Sequence, residues 1–173
     1  MTYSPPDYWT ERGRTYEAEY GDGETPELMA LLERLAFGSV LDAGCGYGRI
    51  GAAILRRWPV EYTGIDVSVD LLASARVRLP FVEFICADLA TWIPTRRWDL
   101  VIAQSVLSHL LAADVAAVVA RLREAARHDF IVIDWDEAGG STPYQFAHDW
   151  LRLLPTATRT PLGRLAMYHE RRP

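Results

Sequence analysis

A loop rich in glycine follows a short apolar run near residue 40, and its residue types are suited to binding a ligand. The loop reads Val40-Leu41-Asp42-Ala43-Gly44-Cys45-Gly46-Tyr47-Gly48-Arg49-Ile50-Gly51. Glycine lets a chain turn sharply from a strand into a helix, and it lets a ligand approach the backbone where a Cβ would block it. We therefore predict that Gly44, Cys45, Gly46 and Gly48 line a ligand site; a plain tight turn is the alternative.

Three aspartates accompany this loop, each at or just past the end of a predicted strand. Asp42 lies two residues before the first glycine of the loop, Asp66 ends a second apolar run, and Asp88 follows a third. A carboxylate at the position of Asp66 can accept hydrogen bonds from both hydroxyls of a ribose. One at the position of Asp88 can accept from an adenine amino group. A single acid of this kind is also typical of a solvated strand end, but three in this pattern favour a nucleoside site.

The position of Asp42 distinguishes between two kinds of nucleotide. The segment Gly46-x-Gly48-x-x-Gly51 also fits the fingerprint of enzymes that bind a nicotinamide dinucleotide. A carboxylate at Asp42 would repel a pyrophosphate, whereas it would attract a ligand that carries an amino-acid ammonium and a sulfonium. A nicotinamide-dependent oxidoreductase is therefore the weaker interpretation.

The scaffold that positions these residues is predicted to alternate strands with helices. Continuous apolar strands are typical of a parallel sheet covered on both faces, and their alternation with helices favours a doubly wound α/β fold. In such sheets ligands bind at the carboxyl edge. The predicted strands are Ser39–Leu41, Tyr62–Ile65, Val82–Ile85, Leu100–Ala103 and Phe130–Ile133, followed by an antiparallel hairpin of Thr156–Thr160 and Arg164–His169 around Pro161-Leu162-Gly163.

Helical segments are predicted from their capping residues and from apolar residues spaced at helical intervals. Thr25-Pro26-Glu27 is typical of a helix start, and Gly38 of the end of that helix. Of the other predicted helices, one begins at Ser68 and runs through Leu79. A second contains Val115–Leu122, and a third contains Ala147–Leu154, with Thr142-Pro143 at its start.

The motifs taken together resemble those of the class I S-adenosylmethionine-dependent methyltransferases. The resemblance runs from about Leu28 to the C-terminal hairpin. Val40–Gly48 resembles the glycine motif of that family, and Gly64–Ser68 resembles the segment with its ribose-binding acid. Cys86–Leu89 resembles its adenine-binding Asp-Leu, and Trp98–Ile102 resembles its fourth-strand motif.

This resemblance implies a fold, an activity and a cofactor. The fold would be a Rossmann-like, doubly wound, mostly parallel seven-stranded sheet with an antiparallel last strand and helices on both faces. The activity would be methyl transfer from S-adenosylmethionine, with S-adenosylhomocysteine as the product. The residues implied in cofactor binding are Asp42, Gly44, Cys45, Gly46, Gly48, Asp66, Val67, Asp88, Leu89 and Gln104.

Residues just past the fourth and fifth predicted strands are the candidates for contact with a methyl acceptor. Methyl transfer mainly requires that the nucleophile be aligned behind the methyl group, and in some cases that a proton be removed. His109 is the candidate general base, and a histidine that packs over the cofactor is the alternative. Trp135 and Asp136 either clamp a cationic or ring-shaped acceptor or form a solvated pair. The other polar candidates are Gln104, Ser105, Ser108 and Asp134.

The acceptor itself is left open by these motifs. Ala103-Gln104-Ser105-Val106 stands where methyltransferases that act on amino groups carry Asn/Asp-Pro-Pro-Tyr. The acid-rich metal site of catechol-type enzymes has no counterpart, and few residues separate the fifth strand from the next helix. We therefore predict a small-molecule acceptor and no metal. A non-catalytic module that binds the cofactor and regulates a partner is the alternative.

The N-terminal segment, residues 1–24, is unusually aromatic and is interrupted by glycines. It is predicted to fold over the cofactor as a lid; alternatively, its rings pack the first helix onto the sheet. The rings are Tyr8, Trp9, Tyr16 and Tyr20, and the glycines are Gly13, Gly21 and Gly23.

Composition narrows the class of protein. The 173 residues fit one methyltransferase domain, residues 1–173, and the net charge is −5 without any Lys/Arg block, so a nucleic-acid partner is not expected. Cys45 and Cys86 are too few for a disulfide framework. No apolar stretch reaches the roughly 20 residues that span a bilayer, and the first residues do not resemble a signal peptide. We expect a cytoplasmic monomer or homodimer without membrane association.

Overall fold

The computed structural model describes residues 4–136 and 144–172 of the chain. The chain divides into two compact units, Met1–Asp88 and Leu89–Pro173. In both units the strands lie within a residue or two of the predicted positions at most ends, and helices lie between them as expected.

From residue 4 onward, where the structure is described, the first unit contains three parallel strands and four helices. Strand β1 pairs in parallel with β2, and β2 pairs in parallel with β3. The helices are α1 (Pro5–Tyr20), α2 (Pro26–Leu32), α3 (Arg49–Leu55) and α4 (Val69–Arg78), and the strands are β1 (Ser39–Ala43), β2 (Glu61–Asp66) and β3 (Glu83–Cys86).

Capping residues start two of these helices where the sequence predicts them. Thr25 lies at the N-cap of α2, with Pro26 in the first turn. The hydroxyl of Ser68 accepts a hydrogen bond at 3.3 Å from the Leu71 backbone N–H and thereby caps α4. Because Ser68 comes two residues after Asp66, this cap fixes the direction in which the chain leaves β2.

Helix α1 is the main departure from expectation in this unit. The glycines of residues 1–24 suggest an interrupted segment, yet α1 continues through Gly13 and ends only at Gly21. Gly13 is buried, and a Cβ at this position would lie 2.6 Å from Ser68 Oγ and 3.1 Å from Leu71 Cγ. The glycine is therefore needed for close packing of α1 on α4, and this packing offsets its low helix propensity.

The described residues of the second unit, 89–136 and 144–172, form four strands, two α-helices and a 3₁₀ turn. Strand β4 pairs in parallel with β5, whereas β7 is antiparallel to both β5 and β6. The strands are β4 (Trp98–Gln104), β5 (Ala126–Trp135), β6 (Thr158–Leu162) and β7 (Leu165–Arg171), and the helices are α5 (Ala112–Ala125), α6 (Trp150–Leu153) and a 3₁₀ turn at Leu107–His109.

The sheet order matches the expected fold class. The described residues contain seven strands, of which β7 alone is antiparallel, and helices flank the sheet. The strand order is β3-β2-β1 in the first unit and β4-β5-β7-β6 in the second. Helix α6 is shorter than predicted, and its expected opening at Thr142-Pro143 lies outside the described residues. In the part of the chain that is described, no helix is long and apolar enough to cross a membrane.

Candidate active site

The glycine loop turns the chain from β1 into α3 by means of left-handed backbone conformations. Gly44, Gly46 and Gly48 have φ angles of 76°, 54° and 78°, which residues with a Cβ adopt only under strain. The backbone N–H groups of Gly44 and Cys45 both donate to the Ile65 carbonyl, at 2.8 and 3.0 Å. The loop is thus held against the end of β2.

Space in front of the loop is left by Gly46. A Cβ built on this residue would have Leu71 Cδ1, at 4.0 Å, as its near neighbour. At Gly48, in contrast, a Cβ would lie 3.4 Å from the Ala75 side chain, so this glycine serves the packing of α3 on α4. Of the two, Gly46 is the residue whose missing side chain leaves room for a ligand.

The carboxylate of Asp66 is fixed at the end of β2 by backbone amides. Its Oδ2 accepts from Gly46 N–H at 2.8 Å, and its Oδ1 accepts from Ser68 N–H at 2.9 Å. Burial raises the pKa of Asp66 above its ordinary value, although these amides lower it. The Asp66 carbonyl accepts from Ala87 N–H at 3.0 Å, which brings the segment before Asp88 beside the end of β2. Val67, also predicted at the site, is half-buried.

Asp42 is a buried carboxylate directly before the loop. It is 2% exposed, and its Oδ2 accepts a hydrogen bond at 2.5 Å from the Tyr62 hydroxyl. Burial raises the pKa of Asp42 to about 6, whereas the Tyr62 hydrogen bond and the nearby Arg49 lower it. The Asp42 carboxylate therefore supplies negative charge directly before the loop.

The N-terminal segment contacts the glycine loop through Tyr47. The Tyr47 hydroxyl donates to the Gly21 carbonyl at 2.5 Å, and its ring lies 6.2 Å from that of Tyr16, edge to face. Arg49 donates to the Gly23 carbonyl. On α4, Arg78 stacks over the Tyr47 ring at 5.3 Å. These contacts bring residues 16–23 next to the predicted cofactor loop.

In the second unit, the predicted residues Leu89 and Gln104 lie before and after the body of β4. Leu89 is buried, and its carbonyl accepts from Arg121 Nη2 at 2.8 Å. Gln104 is the last residue of β4 and is half-buried. The next residue, Ser105, has a φ of 54° and is the one non-glycine residue with positive φ in the described parts of the chain. Backbone strain of this kind is concentrated at functional sites.

His109 is held by the segment that precedes α6. Its Nδ1 lies 2.8 Å from the Tyr144 carbonyl, so Nδ1 carries the proton and donates, and Nε2 carries the lone pair. The Phe146 N–H donates to the Ser108 carbonyl at 2.7 Å, and His148 Nε2 lies 3.0 Å from the Leu107 carbonyl. Burial lowers the pKa of His109, although Tyr144 and Asp134 raise it, so the ring is neutral at pH 7.

Asp134 is a buried acid at the end of β5. It is fully buried, and it accepts hydrogen bonds from the backbone N–H groups of Ser108 at 3.0 Å and Trp135 at 2.9 Å. Burial raises its pKa, while Ser108, Trp135 and His109 lower it. Asp134 thus links the 3₁₀ turn to β5 and adds negative charge near His109.

Trp135 and Asp136, the predicted clamp, both have partners within the second unit. Asp136 forms an ion pair with Arg159 and accepts from the Tyr168 hydroxyl at 2.5 Å. The Arg164 guanidinium lies 4.7 Å from the centre of the Trp135 ring. In residues 4–136 and 144–172, no group of three or more His, Cys, Asp or Glu side chains is arranged to hold a metal ion.

Several contributors to these sites are not predicted from the sequence. Tyr62 lies in an apolar strand run and resembles core, yet it binds Asp42; its position two residues before Gly64, on the face that Asp42 shares, is the signal that could have indicated it. Tyr144 and His148 reach the 3₁₀ turn from a stretch without regular structure. No sequence pattern marks that contact.

Comparison with known proteins places the chain in a family. Residues 40–129, more than half of the chain, match the family described as a methyltransferase domain. A trans-aconitate 2-methyltransferase of Azoarcus sp. (strain BH72) is 30% identical over 162 residues, which are 88% of this chain and 63% of that protein. One of Methylobacterium radiotolerans is 43% identical over 97 residues, which are 56% of this chain and 36% of that protein. The chain thus spans less than two thirds of the length of these curated relatives.

Solved structures with the same fold cover nearly the whole chain. A DhpI–SAH complex superposes with a TM-score of 0.77 at 22% identity, covering 98% of this chain and 95% of that one. Magnesium protoporphyrin IX methyltransferase (ChlM) from Synechocystis PCC 6803 with bound SAH superposes with a TM-score of 0.78 at 19% identity, covering 97% and 98%. The predicted fold class is confirmed, and this chain belongs to the methyltransferase-domain family of class I S-adenosylmethionine-dependent methyltransferases.

Proposed function

We propose that this chain binds S-adenosylmethionine at the glycine loop and transfers its methyl group to a small-molecule acceptor. The observation that carries the proposal is that two buried carboxylates adjoin the loop: Asp42 directly precedes it, and Asp66 accepts a hydrogen bond from Gly46 N–H. Negative charge from two carboxylates next to the loop disfavours a pyrophosphate and favours a ligand with a cationic amino-acid part and a ribose. A nicotinamide dinucleotide is the poorer fit.

The residues of the first unit fit this cofactor. The Asp66 oxygens accept from the backbone amides of Gly46 and Ser68, and a carboxylate offers about four acceptor positions, so it can also take both ribose hydroxyls. Asp42 supplies negative charge behind the loop for the ammonium and sulfonium groups. Because Gly46 has no side chain, the ligand has space to approach the backbone of the loop. Asp88, just past β3, is the proposed acceptor for the adenine amino group, with Leu89 beside it.

The second unit provides the proposed acceptor residues. S-adenosylmethionine, when bound, supplies a methyl group that is already electrophilic, so the protein needs to orient the acceptor and in some reactions remove a proton. For an acceptor that must lose a proton, His109 is the proposed base, because its Nδ1 donates to the Tyr144 carbonyl and its Nε2 is left to accept a proton. A lowered pKa keeps that nitrogen unprotonated at neutral pH.

A small organic acid is the proposed acceptor class. The matching relatives are named for methylation of trans-aconitate, which is a carboxylic acid. A carboxylate oxygen is nucleophilic at neutral pH and has no proton to lose. With such an acceptor, His109 would orient the acceptor or cover the cofactor without acting as a base.

The N-terminal segment is proposed to cover the bound cofactor. Its helix α1 packs through Gly13 on Ser68 and Leu71, directly after the ribose-binding acid, and the segment that follows α1 accepts hydrogen bonds from Tyr47 and Arg49. We also predict a cytoplasmic location. The predicted monomeric or homodimeric state can be checked by light scattering.

Calorimetry and a transfer assay test the proposed function. We expect S-adenosylmethionine and S-adenosylhomocysteine to bind and NAD not to bind. Labelled methyl groups from the cofactor should then appear in one member of a panel of small organic acids that begins with trans-aconitate. Tight binding of NAD would overturn the cofactor assignment. Cofactor binding without transfer to any acid, phenol, amine or thiol in a metabolite extract would instead support a non-catalytic regulatory module.

A further inference from the structure

Tyr62 and Asp42 lie on the same face of two adjacent strands. In the parallel register of β1 and β2, Tyr62 is opposite Val40, and Asp42 is opposite Gly64. Side chains alternate between the two faces of a sheet, so Tyr62, Gly64 and Asp42 point to one side.

The contact between the two side chains is a buried, charge-assisted hydrogen bond. The Tyr62 hydroxyl donates to Asp42 Oδ2 at 2.5 Å, and Tyr62 is 4% exposed. Hydrogen bonds to a charged acceptor are shorter and stronger than neutral ones. Burial and the charge of Asp42 raise the pKa of Tyr62 well above its ordinary value, so the phenol stays a donor throughout the physiological range.

Gly51 makes room for the Tyr62 ring. A Cβ at Gly51 would lie 2.5 Å from Tyr62 Cζ and 2.6 Å from its hydroxyl oxygen. The last glycine of the Gly46-x-Gly48-x-x-Gly51 pattern is therefore needed to accommodate the Tyr62 ring. This is a structural reason for a third glycine that has nothing to do with a pyrophosphate.

Other groups also influence the charge of Asp42. Arg49 at the start of α3 favours the ionised carboxylate, and Asp66 at the end of β2 disfavours it. Cys45 in the loop is buried, and burial raises its pKa well above the ordinary value, so it adds no charge. Arg49 acts from a distance and also binds the Gly23 carbonyl. Among the described residues of this unit, the Tyr62 hydroxyl is the side-chain group that donates a hydrogen bond to the Asp42 carboxylate.

We propose that Tyr62 is a positioning residue for cofactor binding, whose hydroxyl keeps the Asp42 carboxylate charged and oriented behind the glycine loop. The proposal rests on the proposed function, because it requires that the chain bind S-adenosylmethionine. Tyr62 does not touch the cofactor in this role and acts only through Asp42.

The pH dependence of cofactor affinity follows from this role. The pKa of Asp42 is about 6 with the Tyr62 hydrogen bond in place, so in the parent protein affinity should rise with pH through that value. Tyr62→Phe removes a group that lowers this pKa. The midpoint should therefore move to higher pH, and more of the carboxylate should be protonated at neutral pH.

Binding of S-adenosylhomocysteine, measured by calorimetry from about pH 5 to about pH 8.5, tests the proposal. Tyr62→Phe should bind about tenfold more weakly than the parent at pH 7 and should approach the parent at the alkaline end. In the Asp42→Asn background, Tyr62→Phe should change affinity by less than about twofold, because the two residues act as one unit. Tyr168→Phe removes a Tyr–Asp hydrogen bond of the same 2.5 Å length in the other unit and is the matched control, with no expected change.

Three other outcomes would overturn the role proposed for Tyr62. If the parent fails to bind the cofactor at every pH, both the proposed function and this inference are wrong. If the parent binds and Tyr62→Phe has the same pH profile, only the role of Tyr62 is wrong. A pH-independent loss in Tyr62→Phe that persists in the Asp42→Asn background would show a packing role instead. Should Tyr62→Phe not fold, replacement of the tyrosines by 3-fluorotyrosine gives a stronger donor, and the midpoint must then move to lower pH.

Discussion

Asp66 accepts a hydrogen bond at 2.8 Å from the backbone N–H of Gly46, which ties the end of β2 to the glycine loop. The other carboxylate oxygen accepts from Ser68 N–H at 2.9 Å, at the start of α4. One side chain therefore fixes the loop and the helix that border the proposed ribose site. A carboxylate held by two amides is already oriented before any ligand arrives, which reduces the entropic cost of binding.

Asp66→Ala is expected to lower both cofactor affinity and stability. Cofactor affinity should fall at least about tenfold, because the ribose hydroxyls lose a charged acceptor worth about 1.5–3 kcal/mol per bond. The free energy of unfolding should fall by about 1–3 kcal/mol, because two backbone amides lose their acceptor. Calorimetry and urea denaturation measure the two effects. Glu61→Ala, at the exposed start of the same strand, is the control. If only stability changes, Asp66 holds the loop but does not bind ribose.

His109 substitutions distinguish a base from a packing residue. If His109 is the base, His109→Gln should reduce the transfer rate by roughly 10²–10⁴ while cofactor affinity is nearly unchanged. Glutamine is close to histidine in volume but has no nitrogen that accepts a proton, so it removes the base with little change in side-chain volume. The rate of the parent should also rise with pH through a pKa below the ordinary histidine value.

A packing role for His109 gives the opposite pattern. His109→Ala would then weaken cofactor binding, and the rate at saturating cofactor would be close to that of the parent. With a carboxylate acceptor, which needs no base, His109→Gln would change neither quantity. The exposed His128 supplies a control substitution, His128→Ala.

Asp42→Asn is expected to stabilise the protein at neutral pH while it weakens cofactor binding. The folded-state pKa of about 6 lies above the value of about 3.9 in an unfolded chain, so the native state binds the proton more tightly. The stability that Asp42 contributes is therefore complete below about pH 4 and is lost as pH rises through about 6. Asparagine does not titrate and can still accept from Tyr62.

Urea denaturation of the two proteins without cofactor, from about pH 4 to about pH 7.5, measures this effect. At pH 7 the variant should be more stable than the parent by up to about 3 kcal/mol, and the difference should shrink towards pH 4. A variant that is less stable at every pH would show that the Asp42 charge stabilises the native state.

Gly13→Ala tests the placement of α1. A Cβ at this position would be 2.6 Å from Ser68 Oγ, so α1 must shift away from α4. We expect a lower melting temperature and faster hydrogen exchange in α1. If the N-terminal segment covers the cofactor, the affinity for S-adenosylhomocysteine should fall as well. Gly23→Ala is the matched control, since a Cβ there has no atom within 4 Å. An unchanged affinity in Gly13→Ala would contradict the lid.

The order of strands and helices could be read from the sequence because the signals are local. Apolar runs such as Leu100–Ala103 mark buried strands, and Ser68 marks a helix start. The glycine loop and the acids at strand ends also lie at defined points along the chain. The family resemblance depends on these same short motifs. The turn at the glycine loop and the positions of Asp42 and Asp66 near strand ends agree with the structure, whereas their roles in cofactor binding stay predictions.

The partners of those residues were decided only by the tertiary structure. Asp42 binds Tyr62, which is 20 residues away along the chain, and His109 binds Tyr144, which is 35 residues away. Gly13 resembles a helix breaker until α4 packs against it. A hydrogen bond or a close approach between distant residues depends on strand register, helix packing and burial, which raise or lower pKa values and favour one side-chain orientation. None of these quantities is a property of a short segment, so the sequence could name the charged groups of the site but not the contacts that set their charge.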